Sequence, residues 1–560
     1  MRESAPRGPE PRPTLVVLGL MALAFGLRLY AALHLSPHTD EAASQLASLR
    51  VVATGFPVFT SGVLYLQGCT MSYLMAPLAI LGWDDAWDLS VLRLVTVVAS
   101  TFGIPLLFQF VRDLTGRTSA ATLAAFMLAV DPLTLQWGAN IRPYGLLETM
   151  CIALAVLFHR ALVKQDKFAA IGLIFTFALV TFTHLGGLML WPGMVVLTLA
   201  VYRKRVFHEG LVPTLGLAGS LGGPALFLAV NTWFGVSSSK STEVPAFVGN
   251  HLINYRRLIA PRLDGLIKLY GDLPGMLVVP PLFLTVAVGL LISWLLHIRR
   301  ERRVDADLGA LIALYAMPLL TVAFLLSDQQ PRYLLPMQPF AIAMLAYALD
   351  ASVGAGRWIR IGTQLVGSVV LGMLIWGAFY RLYDPLVDED FRPSLDYVEA
   401  HRMPGEPVYA VIPPVFGLML KDQTEVAFIA GPTWRRDRYT RKNEHGELSD
   451  YWIGWPVLRN LEDLCIALRD NPGAWIPMDR ERLFDSPILG FMGRDVLIYG
   501  TQTVYDHPGD SLVLRPMPIA KWGQAARNAC AKTIAAVEHP PTVDDFPIDL
   551  ARDVCAEADR

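Results

Sequence analysis

Apolar runs close to bilayer-spanning length recur between residues 14 and 380, and few folds accommodate that recurrence. A spanning helix needs about 20 mostly apolar residues. Such runs lie at 14–34, 91–111, 118–135, 145–162, 168–183, 187–202, 210–231, 276–297, 307–326, 333–350 and 359–380. The expected fold is an α-helical polytopic membrane protein with about 11 transmembrane helices. Composition agrees, since only 17% of the 560 residues are charged, against about a quarter in soluble domains. A formal net charge of −2 gives no basic field, so no nucleic-acid partner is expected.

A further apolar stretch, 64–83, contains Gln67, Gly68 and Pro77. Basic residues decide whether it crosses, because cytoplasmic loops carry the Lys/Arg excess. If it does not cross, one side receives every basic cluster. These are Arg2, Arg7 and Arg12; Arg112 and Arg117; Arg160, Lys164 and Lys167; Arg203, Lys204 and Arg205; Arg299 to Arg303; and Arg357 with Arg360. If it crosses, the later clusters move outside. The expected topology therefore has a cytoplasmic N-terminus, one external loop at 35–90 with a membrane-hugging helix, and an external tail. The first run is read as a retained helix, being long for a signal peptide and lacking a small-residue cleavage site. Three regions follow: a disordered cytoplasmic 1–13, a transmembrane domain 14–382 and an extracytoplasmic domain 383–560.

The tail differs in texture. Short apolar runs at 408–412, 426–429, 474–476 and 496–499 read as buried strands, and 394–402 and 460–469 read as helices. That alternation predicts a small α/β domain. Four of the five cysteines, Cys69, Cys465, Cys530 and Cys555, would lie in an oxidising space, with Cys530–Cys555 one possible bridge.

With this sidedness, chemistry-bearing residues gather on the outer face. Asp40 and Glu41 follow the first span, and adjacent carboxylates at a membrane edge are functional candidates by default. Arg93 starts the second span, Arg142 and Tyr144 follow the third, His184 lies in a later turn, and Arg332 and Tyr333 precede a span. Arginine binds phosphate through forked, charge-assisted hydrogen bonds. A carboxylate can accept a proton from an attacking hydroxyl or hold a divalent cation. These parts suit sugar transfer from a lipid phosphate. Each residue also has a plainer reading. Arg142 and Arg332 could be interfacial anchors, Tyr144 and Tyr333 aromatic-belt residues, and His184 a structural hydrogen-bonding group. Arg93 could cap a helix or pair with Asp84, Asp85 or Asp88. No His/Cys cluster has zinc spacing, and there is no phosphate-binding Walker motif.

Four stretches together resemble the C-type (GT-C) integral-membrane glycosyltransferases, in the branch of protein O-mannosyltransferases, aminoarabinose transferases and their bacterial relatives. They are HTDEA at 38–42, LRL around Arg93, ANIRPYGLL at 139–147 and PRYLLP at 331–336, with FTHLGG at 182–187 a weaker fifth. The resemblance covers roughly residues 14–380 in order and spacing. It implies a bacterial inner-membrane enzyme that takes a monosaccharide from a polyprenyl-phosphate donor on the outer face, usually with inversion. The acceptor would be a lipid, protein or polysaccharide. It implies Asp40 as base, Glu41 as catalytic helper, and either acid as ligand to a divalent cation (Mg or Mn). Arg93, Arg142 and Arg332 would hold the lipid phosphate, and Tyr144, His184 and Tyr333 would shape the pocket. The loop helix departs from the pattern, with LYLQG at 64–68 where many relatives carry a Pro-Pro stretch. The competing expectation is a transporter or flippase for lipid-linked sugars. That reading calls for repeated halves and charges within the spans, whereas the charges here are expected at the outer ends.

Overall fold

The computed structural model describes residues 13–35, 39–66, 68–82, 89–200, parts of 221–230, 306–325, 331–354, 357–383, 390–419, 426–429, 440–443, 445–458, 460–479, 483, 490–506, 511–531 and 534. The expected spans at 210–231 and 276–297 lie largely or wholly outside these residues. So do the basic clusters at 203–205 and 299–303, the candidate partners Asp84, Asp85 and Asp88, and Cys555. The chain divides into two compact units, Met1–Asp388 and Glu389–Arg560.

In the first unit, α1 (Pro13–His34) is followed by α2 (Thr39–Thr54), α3 (Cys69–Ile80), α4 (Ser90–Thr101), α5 (Gly103–Thr115), α6 (Thr118–Ala129), α7 (Pro132–Gly138), α8 (Pro143–Val163), α9 (Lys167–Thr183) and α10 (Leu190–Ala200). After the intervening segment come α11 (Ala306–Leu325), α12 (Gln338–Ala351) and α13 (Arg357–Tyr383). Among the described residues, Pro13–His34, Ser90–Thr115, Pro143–Val163 and Arg360–Leu382 are long and apolar enough to cross a membrane. A fifth candidate is the pair Thr118–Ala129 and Pro132–Gly138, bent by 57°.

Prolines and local caps set the breaks. Pro105 lacks the N–H that would bond back to Thr101, so α4 and α5 separate there. The α6–α7 bend falls at Asp131–Pro132, where Asp131 accepts a hydrogen bond from the Thr134 N–H and Pro132 opens the next helix. At 12 residues, α3 reaches only ~18 Å, short of the ~30 Å hydrocarbon layer, and it packs on α2, α4 and α9.

The core is built around α6, whose Ala120, Ala121, Ala124, Ala125 and Ala129 are fully buried. Small side chains let helices approach closely within a membrane, and α6 is packed by α1, α5 and α12. Outward faces are apolar at helical spacing. Phe168, Ile171, Phe175 and Leu179 line α9, and Trp358, Ile361, Leu365, Val369 and Trp376 line α13, all exposed. Apolar stripes of that length call for a lipid surrounding.

The second unit is α/β. It runs α14 (Arg392–His401), β1 (Val408–Ala410), α15 (Pro413–Met419), β2 (Val426–Ile429), β3 (Thr440–Lys442), β4 (Leu448–Asp450), β5 (Val457–Leu458), α16 (Leu461–Asp470), β6 (Ile476–Asp479), α17 (Gly490–Gly500), β7 (Thr501–Asp506), β8 (Ser511–Pro516) and α18 (Gln524–Ala529). Strands β1, β2 and β5 form a parallel sheet in the order β1-β2-β5. Strands β6, β8 and β7 form an antiparallel one in the order β6-β8-β7.

Two sequence expectations are corrected here. The run 496–499 lies in α17, not in a strand, because a four-residue apolar run cannot separate a buried helix turn from a strand. Cys530 is bonded to Cys465, not Cys555, with Cα atoms 5.7 Å apart. Helices α16 and α18 both pack on α17, which brings the two cysteines together.

Candidate functional site

Adjacent carboxylates in the first turn of α2 serve different partners. Successive helix positions differ in direction by about 100°, so Asp40 and Glu41 cannot face the same group. Both sit at the helix N-terminus, where negative charge is favoured. Glu41 turns inward and is fully buried. It accepts a forked pair from Arg93, Nε to Oε1 at 3.0 Å and Nη2 to Oε2 at 2.7 Å. The Ile141 N–H donates to the same carboxylate at 2.7 Å. Arg93 also donates through Nη1 to the Ala32 and Leu35 carbonyls, each at 2.8 Å. One buried ion pair therefore fastens the end of α1, the start of α2, α4 and the turn before α8.

That arrangement differs from the expectation for two residues. Arg93, expected to hold the lipid phosphate, is 3% exposed and bonded to Glu41 and two carbonyls. Glu41, expected as a catalytic helper, is enclosed with it. A cation shared by Asp40 and Glu41 does not fit this donor set, because Glu41 is already saturated by an arginine and an amide. Among the described residues, no group of three or more His, Cys, Asp or Glu side chains could hold a metal ion.

Asp40 turns the other way, with its side chain 36% exposed. Its Oδ2 faces two guanidiniums: Arg142 Nη2 at 3.1 Å and Arg332 Nη1 at 3.4 Å. Arg142 further donates to the Asp40 carbonyl at 3.1 Å and to the Tyr65 hydroxyl at 3.4 Å. Pro143 explains how Arg142 reaches this point. It opens α8 and restricts the preceding residue to extended backbone, observed at φ −131°, ψ 152°. Arg332 comes from the short 3-10 turn Pro331–Leu334.

Aromatic rings back the arginines. Trp137 and Tyr144 meet edge to face at 5.0 Å between centroids, while Tyr144 and His184 at 5.0 Å and His184 and Tyr333 at 6.3 Å are tilted pairs. The Arg332 guanidinium lies 5.5, 5.6 and 6.0 Å from the rings of Trp137, Tyr144 and Tyr333. Cation–π contacts of this kind hold a guanidinium in place while leaving its fork free to bind. Tyr144 is almost fully buried and supports the wall; His184 and Tyr333 are partly exposed.

Electrostatics keeps the arginines charged and His184 neutral. Burial pulls Arg142 down, but Asp40, Tyr65 and Tyr144 more than offset it and hold the guanidinium above its ordinary value. Arg332 is raised likewise, with Tyr144 and Asp40 opposing burial. Burial, then the charges of Arg142 and Arg332, push the His184 imidazole down to about 3. Its Nδ1 accepts the Gly186 N–H at 2.9 Å, which leaves the neutral ring with its proton on Nε2.

The spacing of motifs did not reveal Tyr65, Trp137 or a second polar cluster beneath the site. Arg28 is fully buried in α1, and Asp131 and Glu148 are buried at the α6–α7 bend and in α8. Thr134 joins the two acids, its N–H donating to Asp131 at 2.8 Å and its hydroxyl to Glu148 at 2.7 Å. Gln338 donates to Asp131 at 3.0 Å, and Arg28 to the Leu128 carbonyl at 3.4 Å. Charges therefore do lie within the helical layer, contrary to the sequence expectation. Charged residues inside otherwise apolar runs were the signal that could have marked them. Of the motif residues, the structure thus gathers Asp40, Arg142, Tyr144, His184, Arg332 and Tyr333, while Glu41 and Arg93 form a separate buried pair. His38 lies outside the described residues.

Comparisons with known proteins bear on this geometry. The profile of the dolichyl-phosphate-mannose-protein mannosyltransferase family matches residues 71–233. That stretch holds Arg93, Arg142, Tyr144 and His184 but not Asp40 or Arg332. No curated protein matches the chain. Among solved structures, ArnT from Cupriavidus metallidurans bound to undecaprenyl phosphate is similar at 14% identity and a TM-score of 0.55, over 91% of this chain and 99% of that one. The Archaeoglobus fulgidus oligosaccharyltransferase in complex with zinc and sulfate is similar at 12% identity and a TM-score of 0.51, over 93% of this chain and 77% of that one. The resemblance to C-type membrane glycosyltransferases read from the motifs accordingly extends to the fold over 91% of the chain.

Proposed function

We propose that the chain is a membrane glycosyltransferase that moves a monosaccharide from a polyprenyl-phosphate donor to an acceptor hydroxyl at the extracytoplasmic face. The carrying observation is the meeting of Arg142 and Arg332 on one accessible carboxylate, Asp40, against an aromatic wall. Among the described side chains this cluster sets two guanidiniums against one carboxylate, an excess of positive charge suited to a phosphate. The ArnT structure, solved with undecaprenyl phosphate bound, supports a lipid-phosphate ligand for this fold.

In this reading Arg142 and Arg332 hold the phosphate and stabilise the charge that grows on it as the bond to the anomeric carbon breaks. Asp40 accepts the proton of the acceptor hydroxyl as its oxygen bonds to that carbon from the opposite side, which inverts the centre. Glu41 and Arg93 fix the backbone that carries Asp40 and Arg142. Neutral His184 presents its Nε2 proton as a donor, and Tyr144 and Tyr333 shape the wall. No step is routed through a divalent cation, given the donor set at Asp40 and Glu41. The basic clusters of the sequence support a cytoplasmic N-terminus, about 11 spans and an external C-terminal unit in a bacterial cell membrane. Charges at Arg28, Asp131 and Glu148 are of the kind the transporter reading calls for, but all three are buried, and the two acids are hydrogen-bonded to Thr134 and Gln338.

The test is release of polyprenyl phosphate from a panel of short-chain polyprenyl-phosphate sugars, with and without Mg or Mn, by wild type and Asp40→Asn. Release by wild type alone supports the assignment. Full release by Asp40→Asn removes Asp40 as base, and dependence on the cation would overturn the cation-free reading.

A further inference from the structure

Asp40 faces Arg142 and Arg332 through one carboxylate oxygen. Both guanidiniums reach Oδ2, at 3.1 and 3.4 Å, and their side chains are only 13% and 18% exposed. Desolvated arginines keep an anion against them, and the carboxylate supplies it. A lipid phosphate presenting its oxygens to the same two forks must displace that carboxylate.

We infer that Asp40 is an internal competitor of the lipid phosphate, exchanging the arginines with it once in each catalytic cycle; this rests on the reading of the site given above. Donor arrival transfers Arg142 and Arg332 from the carboxylate to the phosphate. The carboxylate is then unpaired from them and able to take a proton, so the base is released only when a donor is in place. Transfer forms the bond between acceptor oxygen and anomeric carbon and breaks the bond between that carbon and the phosphate oxygen. The acceptor's proton moves to Asp40, and the bonding electron pair leaves with the phosphate.

The product is a phosphate monoester, whose second ionisation lies near pH 6. It can take the proton held by Asp40, which lowers its charge to −1 and restores the carboxylate. Asp40 then recaptures the arginines as the product leaves. Two fixed arginines alone would hold a doubly charged product more strongly than the singly charged donor. The internal carboxylate counters that bias, and Tyr65 and the aromatic wall keep both arginines in reach during the exchange.

The consequence has an unusual sign. Removing the charge of Asp40 abolishes turnover yet tightens binding of the product. The experiment is calorimetric titration of undecaprenyl phosphate into the purified full chain, comparing wild type with Asp40→Asn and Asp40→Ala. Undecaprenol is the uncharged control, and thermal unfolding establishes that each variant is folded. Asp40→Asn and Asp40→Ala are expected to bind undecaprenyl phosphate roughly two- to fivefold more tightly, the factor a partly exposed ion pair is worth, with undecaprenol unchanged. Equal or weaker binding by the folded variants overturns the inference while leaving the transferase reading intact. An equal gain for undecaprenol assigns the effect to space instead of charge and also overturns it. Absence of binding to wild type and variants alike removes the lipid-phosphate site, and both readings with it.

Discussion

Replacing Glu41 by Gln separates a structural carboxylate from a catalytic one, because its partners are all on the protein. The side chain is 0% exposed and its partner Arg93 4% exposed. Glu41→Gln keeps the shape but removes the charge, leaving one acceptor oxygen for an arginine fork and the Ile141 N–H. Breaking a buried ion pair by neutralising one member costs about 3–5 kcal/mol, most of it the uncompensated remaining charge. Arg93 keeps its bonds to the Ala32 and Leu35 carbonyls, so the low end, about 3 kcal/mol, is expected. Arg93→Met, which strands Glu41, is expected to cost at least as much. The double variant Glu41→Gln/Arg93→Met removes both charges and strands only the Ala32 and Leu35 carbonyls, the amide oxygen still accepting the Ile141 N–H. Its cost should not exceed that of either single variant, giving a coupling of about 3 kcal/mol. The assay is denaturant or thermal unfolding in detergent, alongside turnover normalised to folded protein. Glu41→Gln of native stability but without turnover would refute the reasoning and return Glu41 to the catalytic set. Strictly additive costs would show that the two charges do not share one desolvated site.

Three further outcomes are expected. The His184 pKa, down at about 3 in the folded chain against an ordinary 6.5, means the unfolded chain binds the proton first. This group therefore removes stability as pH falls from about 6.5 toward 3, at up to ~1.4 kcal/mol per pH unit. His184→Gln should flatten that slope in unfolding measurements, and the pH–rate profile between 5 and 8 should keep its shape. Arg28 is fully buried with a hydrogen bond to the Leu128 carbonyl at 3.4 Å, and replacing a buried charged group by an apolar one of similar volume is often neutral or stabilising, so Arg28→Met is expected to leave thermal unfolding within about 1 kcal/mol of wild type or to raise it. The Cys465–Cys530 bridge closes a separation of 65 residues, so Cys465→Ser should destabilise the C-terminal unit by about 4 kcal/mol. Unfolding followed with and without reductant checks this, and wild type alone should respond to the reductant.

The long helices were legible because one physical demand writes them: lipid-exposed backbone must satisfy its own hydrogen bonds, and the side chains around it must be apolar. The helices α1, α8 and α13 match the runs at 14–34, 145–162 and 359–380. Helix α2 was not legible. Residues 41–48 are all buried, so no single face is apolar, and apart from Leu46 they are small or polar groups that produce no apolar stripe. In the tail, β1 and β2 fall on the runs that predicted them. The β7–β8 hairpin escaped because β7 is mostly polar, with Val504 and Tyr505 alone among Thr501, Gln502, Thr503 and Asp506, and so gives no apolar run.

The site was legible in its membership but not in its wiring. Asp40, Arg142 and Arg332 were named by residue type and order, and the fold brings their charged ends within 3.4 Å of one oxygen. Adjacency in sequence suggested that Asp40 and Glu41 work together, whereas the turn of α2 divides them. Glu41 takes Arg93 out of solvent with it, and that withdrawal leaves Arg142 and Arg332 as the pair facing the one accessible carboxylate. A motif shows which charges are present; the helix phase decides which of them cancel in the interior and which stay available to a ligand. The division also explains why a chain with so few charges places two acids side by side. One anchors α2, α4 and the turn before α8 through a pair withdrawn from solvent. The other is held by Arg142 and Arg332 and keeps 36% of its side chain exposed.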